Sequence, residues 1–252
     1  MEIQPIWTEE TTVKPYETDF RGEWKPACFF QGLQLVASHH ASHLGYDYHD
    51  LLQQNMAWVL GRMKLTILRY PLLEERLSVR TWPRGFQNKI FFMRDFFILD
   101  QSARKVAAAT SAWLLIDVQK RRMLVPEKLD GRLPLNDGLR ALDEDLERLI
   151  MPKDMAVKRT VQADYSMVDI MGHVNNTRYV DWVMDCFPFE HHRSHRLAWL
   201  QVNYNNEVLP GERVTLAAGQ DGQEPSHWFV QGSSLENGGK AFEASMGWRP
   251  IE

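Results

Sequence analysis

The chain has 252 residues, 33 of them acidic and 29 basic, for a formal charge of −4, with 44% apolar and 25% charged side chains. That length suits one large domain or two of about 125 residues, and the charge balance gives no electrostatic reason to expect nucleic acid as a partner. Cys28 and Cys186 lie far apart and suggest no disulfide framework. The acidic opening lacks the apolar core of a signal peptide, and no apolar run approaches the ~20 residues that span a bilayer. A cytoplasmic protein without membrane insertion is expected.

In chain order, a strand-like opening leads into the turn Asp19-Phe20-Arg21-Gly22-Glu23. A helix is predicted near Ala27–Leu44, where Phe29, Phe30, Leu33, Leu35 and Val36 are apolar. Runs rich in β-branched and aromatic residues at 58–70, 76–83, 88–100 and 105–118 predict long strands, with a hairpin at 100–103. The proline-punctuated, charged stretch 126–158 reads as a linker with one surface helix near Asp137–Leu149. The order then starts again. A second turn, Asp169-Ile170-Met171-Gly172-His173, precedes a helix near Asn176–Phe187. There Tyr179, Val180, Val183, Met184 and Phe187 recur at helical spacing and Trp182 widens the apolar face. Strands and a hairpin at 236–239 follow.

The two halves match in three collinear blocks. Asp19–Glu23 superposes on Asp169–His173 without gaps, bringing Phe29 onto Tyr179. Ala57-Trp58-Val59-Leu60 pairs with Ala198-Trp199-Leu200-Gln201, and the proline turns at Pro71 and Pro210 follow. Lys105–Thr110 pairs with Lys240–Ser245, and Trp113 with Trp248. An antiparallel sheet curved around one helix, made twice, satisfies this order. The expectation is an α+β protein of two tandem hotdog domains, spanning 1–130 and 158–252, joined by a charged linker at 131–157.

Several stretches carry a wider likeness: Trp58-Val59-Leu60-Gly61-Arg62-Met63, Arg69-Tyr70-Pro71, Met93-Arg94-Asp95, Ala112-Trp113-Leu114 before Lys120-Arg121-Arg122, and Gly172-His173-Val174-Asn175-Asn176 with Tyr179. In this order, over nearly the whole chain, they resemble the acyl-[acyl carrier protein] thioesterase family. The resemblance implies hydrolysis of the thioester between a fatty acyl chain and the phosphopantetheine arm of acyl carrier protein, with no cofactor. It assigns the catalytic roles to Asp169, His173 and a strand carboxylate, Glu207, and makes the first half the non-catalytic copy that holds the acyl chain. Two positions depart from the family. Met171 stands where an amide is expected two residues before the histidine. Val208 stands where some plant members carry cysteine, which excludes a cysteine nucleophile there.

The residues themselves support the same chemistry. An imidazole titrates near neutrality, so His173 suits a general base for water. The helix that follows offers N–H groups to an oxyanion, and Gly172 permits close backbone approach. Asp169 or Glu207 would orient the imidazole or share its proton, and Asn175 or Asn176 would supply an amide. The competing reading is that His173, Asp169 and the asparagines merely cap a helix and satisfy a turn. Glu23 in the duplicate weighs against it, because that turn folds without histidine.

Neither His39, His40 and His43 nor His191, His192 and His195 has the HExxH pattern or cysteine company of a metal site, so no metal is expected. No nucleophile elbow, phosphate loop or dinucleotide fingerprint occurs. An acidic carrier protein needs a basic docking face. Arg62, Lys64, Arg69, Arg84, Lys89, Lys120, Arg121 and Arg122 are the candidates, and Trp58, Met63, Phe91 and Phe92 are candidates for the end of an acyl tunnel. A non-catalytic acyl-thioester binding protein, an acyl-coenzyme A thioesterase and a hydratase are the alternatives. A homodimer is allowed but not required.

Overall fold

The computed structural model describes residues 3–125, 129, 133, 134, 136 and 138–251. The chain divides into two compact units, Met1–Leu146 and Glu147–Glu252.

In the first unit, β1 (Trp7–Thr12) precedes α1 (Pro26–His43) and α2 (Tyr48–Gln53). The strands β2 (Met56–Ile67), β3 (Arg76–Gln87), β4 (Phe91–Asp100), β5 (Lys105–Asp117) and β6 (Arg122–Met123) follow. The sheet order is β1-β3-β4-β5-β2, every pair antiparallel, with β6 alongside β5. Pro26 opens α1 at a position where a missing N–H costs nothing. Phe29, Phe30 and Leu33 bury the helix face, and Leu65, Ile67, Leu77, Val79, Phe96 and Ile98 are buried on the strands.

Strand β4 is buried along both faces. The sheet's second face is covered by residues 138–146, which run across it in bends and coil. The helix expected near Asp137–Leu149 does not form over the described part of that range, and Asp137 lies outside the described residues. The reason is a competition for backbone groups. The Leu139 carbonyl accepts from Trp82 Nε1 (3.0 Å), the Ala141 N–H donates to Asp95 Oδ2 (3.0 Å), and the Leu146 carbonyl accepts from Arg62 Nη1 (2.5 Å). Leu142 and Leu146 are buried, Leu146 beside Phe91, Met93 and Ala112. The leucine spacing that mimics an amphipathic helix instead marks where an extended strap touches the sheet.

The second unit holds β7 (Ala156–Gln162), α3 (Asn176–Met184), α4 (Phe189–Ser194), β8 (His195–Tyr204), β9 (Arg213–Gln220), β10 (His227–Ser234) and β11 (Lys240–Pro250). Its order is β8-β11-β10-β9-β7, again antiparallel. Asn175 caps α3, and Tyr179, Val180, Trp182 and Val183 are all buried. Tyr179 meets Trp182 and Phe242 edge-on at 5.1 Å in each case, so aromatic packing encloses the helix on more than one side.

The duplication is visible in the hydrogen bonding, with one correction. The ladders pair Leu60 with Trp113 and Leu197 with Trp248, so Leu60 corresponds to Leu197 and not to Gln201. Trp24 N–H bonds the Pro71 carbonyl where Val174 N–H bonds that of Val208, so Pro71 corresponds to Val208 and not to Pro210. The recurrence of Ala-Trp is not structurally equivalent, because bulges in β2 and β11 shift the register beside it. Among the described residues no helix is long and apolar enough to cross a membrane.

Candidate active site

The two turns share one backbone. Asp19 N–H donates to the Glu23 carbonyl (2.8 Å), and Asp169 N–H to that of His173 (3.0 Å). Gly22 and Gly172 each donate back to the aspartate carbonyl, at φ of 73° and 81°, which glycine adopts without strain. In each, the aspartate Oδ1 accepts an N–H two residues on: Arg21 at 2.8 Å, Met171 at 2.9 Å. Asp169 therefore has a folding role that Asp19 repeats.

The side chains around that backbone differ. In the first turn Arg21 bonds Asp19 Oδ2 (2.9 Å) and Glu23 Oε2 (3.0 Å), and Glu23 is buried. In the second, Met171 replaces the arginine and is exposed, while His173 replaces the glutamate and is half-buried. No side chain among the described residues hydrogen-bonds the His173 imidazole. Neither Asp169 nor Glu207 hydrogen-bonds it: both Asp169 oxygens are engaged, Oδ1 by Met171 N–H and Oδ2 by Asn175 Nδ2 at 3.0 Å.

The two asparagines have different fates. Asn175 Oδ1 accepts from Thr177 N–H (3.0 Å) and Thr177 Oγ1 (2.7 Å), so its amide is consumed as helix cap and clamp on Asp169. Asn176, the first residue of α3, is half-buried, and its amide makes no hydrogen bond among the described residues.

Glu207 lies three residues beyond β8, in the loop to β9, not on the strand where the resemblance places it. Glu207 lines a recess with Asn206, Leu209, Glu212, Asn237 and Gly239, which neither Asp169 nor His173 lines. The element common to the carboxylates is Tyr179, which belongs both to the apolar helix face and to the family likeness. Burial raises its pKa. The charges of Glu207, Glu212 and Asp169 push the same way, against the Val208 N–H that bonds its oxygen. The turn and the β8–β9 loop thus meet over one phenol, joined also by Val174 N–H to the Val208 carbonyl (2.9 Å).

Of the basic candidates, four are committed within the first unit. Arg62 holds the Leu146 carbonyl, Lys64 pairs with Glu144 (2.6 Å), Arg69 bridges Glu75 and Asp100, and Arg84 lies 3.7 Å from Asp95. Lys89, Lys120, Arg121 and Arg122 are exposed on the hairpins where β4 begins and β5 ends. Trp58 packs edge-on against Phe92 at 4.7 Å, whereas Phe91 belongs with Met93 and Leu146, so Phe91 and Phe92 serve opposite faces of β4.

The histidine groups have local partners. His39 pairs with Glu9 (2.8 Å), His43 lies against Trp7, and His191 stacks on His195 at 4.5 Å. No trio of His, Cys, Asp or Glu among the described residues is arranged to hold a metal.

Two family models match the chain: the acyl-ACP thioesterase N-terminal domain over residues 5–128 and the acyl-ACP thioesterase C-terminal domain over 151–250. A chloroplastic palmitoyl-acyl carrier protein thioesterase of Gossypium hirsutum is 24% identical over 245 residues, 92% of this chain and 57% of the relative. The chain thus spans just over half the length of the curated relatives it matches. An acyl-ACP thioesterase structure from Bacteroides thetaiotaomicron superposes with a TM-score of 0.86 at 24% identity, covering 97% of this chain and 98% of that one. The 12:0-ACP thioesterase of Umbellularia californica gives 0.85 at 19% identity, covering 98% of each. At these identities the likeness establishes the fold, two tandem hotdogs.

Proposed function

The chain belongs to the acyl-ACP thioesterase family, and we propose that it hydrolyses the thioester between an acyl chain and the phosphopantetheine arm of acyl carrier protein, with His173 as general base. The observation that carries this reading is the contrast between two copies of one turn. The first is closed by the Asp19–Arg21–Glu23 ion pairs, and the second presents an imidazole that no side chain among the described residues holds. Folding alone does not require that exchange.

In the proposed reaction His173 takes a proton from water as the water oxygen attacks the thioester carbonyl. The tetrahedral oxyanion collapses with cleavage of the C–S bond, and the imidazolium returns the proton to the leaving thiolate. Asn176 supplies the amide N–H toward the oxyanion, the role the resemblance gives to the position of Met171. Asp169 and Asn175 act one step back, holding the turn that aims His173. Glu207, which the resemblance counts among the catalytic groups, acts on the site through Tyr179, the phenol whose surroundings it shares with Asp169. Each such group contributes roughly 10²–10⁴ in rate, so Met171 weakens the site without abolishing it.

Met171 also favours one second reading, a protein that binds acyl thioesters without turning them over. Free-thiol release from acyl-carrier-protein and acyl-coenzyme A substrates of graded chain length separates the two. Turnover of the carrier-protein thioesters supports the hydrolase. Tight binding of those thioesters without thiol release supports the binder.

A further inference from the structure

The interior of the first unit holds a cation that the proposed reaction does not use. Arg94, on β4 beneath α1, is only 9% exposed. Its Nη1 lies 2.9 Å from His40 Nδ1 and donates to Thr81 Oγ1 at 3.3 Å. His40 Nε2 lies 2.9 Å from the Gln4 carbonyl, which fixes the tautomer: Nε2 carries the hydrogen and Nδ1 accepts. The imidazole is thus a neutral partner, and burial with the nearby Arg94 charge holds its pKa down to about 4.

No carboxylate among the described residues pairs with this guanidinium. Asp95, next along β4, serves the opposite face, taken up by Thr110, Ala141 and Arg84. Burial accordingly pulls the Arg94 pKa down to about 10, with no neighbouring anion to hold it up. Its Nε–H and Nη2 hydrogens meet no acceptor among the described residues, yet neither nitrogen is sealed off by surrounding atoms. Nε and Nη2 form one edge of the guanidinium, whose two parallel N–H groups match the two oxygens of a carboxylate. A buried charge without a countercharge is costly, so an anion seated at that edge has a large driving force.

We propose that Arg94, held in place by His40 and Thr81, forms a carboxylate-binding site inside the first unit. Its ligand is a monocarboxylate gripped side-on, either a small free ion or the head group of a fatty acid.

The test is thermal melting of the full chain in sodium acetate and in submicellar sodium decanoate, with ionic strength held by sodium sulfate. The expected result is a saturable rise in Tm that is lost in Arg94→Met and needs at least tenfold more ligand in Arg94→Lys, which keeps the charge but not the fork. Saturation by decanoate well below acetate assigns the site to a fatty-acid head group, and similar or weaker binding of decanoate assigns it to a small carboxylate. Line broadening of ¹³C-acetate by the wild type gives a readout that does not depend on how the variants fold. The proposal is overturned if wild type shows neither effect, if both persist in Arg94→Met, or if chloride acts as strongly as acetate.

Discussion

Acid should weaken this protein through His40. The imidazole is buried between Trp7, which stacks on it at 5.8 Å, and the Arg94 guanidinium, and its pKa is lowered to about 4 by burial and then by the Arg94 charge. In the unfolded chain the same group titrates near 6.5. Between those values the unfolded state binds a proton that the folded state refuses, so stability is intact above pH 6.5 and falls as pH drops toward 4. A gap of about 2.5 units corresponds to about 3 kcal/mol, at 1.36 kcal/mol per unit. The assay is urea unfolding of wild type and His40→Gln at pH 7.5 and pH 4.5 in chloride-free buffer. His191, also lowered to about 4 by burial and then by His195 and His192, contributes equally to both proteins and cancels. Wild type should lose about 2–3 kcal/mol more than the variant over that interval, since pH 4.5 lies just above the folded pKa and most of the gap is then expressed. Parallel losses in the two proteins would mean that the His40 proton does not drive the acid loss.

The asparagines at the helix entrance should separate by assay. Asn175→Ala removes the cap and the clamp on Asp169 and should cost about 1–2 kcal/mol in urea unfolding. Asn176→Ala should leave stability within about 0.5 kcal/mol and lower kcat about 10²-fold in thiol release. Leu146→Ala, at a fully buried position in the strap, should destabilise by about 2–4 kcal/mol on denaturation. A value near zero would mean that residues 138–146 are not part of the first unit's core.

What the sequence made legible was local and periodic. The spacing of Phe29, Leu33 and Val36 found α1, and the Asp-x-x-Gly turns found the duplication because both copies close the same hydrogen bonds. The strap was misread because Leu139, Leu142, Leu146 and Leu149 keep helical spacing. The groups that capture its backbone, Trp82, Asp95 and Arg62, come from strands more than 40 residues earlier. The burial of Arg94, which the sequence showed only within the Met93-Arg94-Asp95 likeness, went unseen for a related reason: it depends on His40 of α1 packing against it, and no local pattern reports that. Within the site, the sequence put Asn175 and Asn176 on equal terms, and only the Thr177 and Asp169 bonds set them apart.

The proposed role of His173 as the base that opens a thioester is tested by single-turnover hydrolysis of acyl-[acyl carrier protein] by wild type and His173→Ala. The chemical step should fall by about 10²–10⁴ with Tm unchanged, since no side chain among the described residues hydrogen-bonds the imidazole. A variant that folds and hydrolyses as fast as wild type would contradict that role.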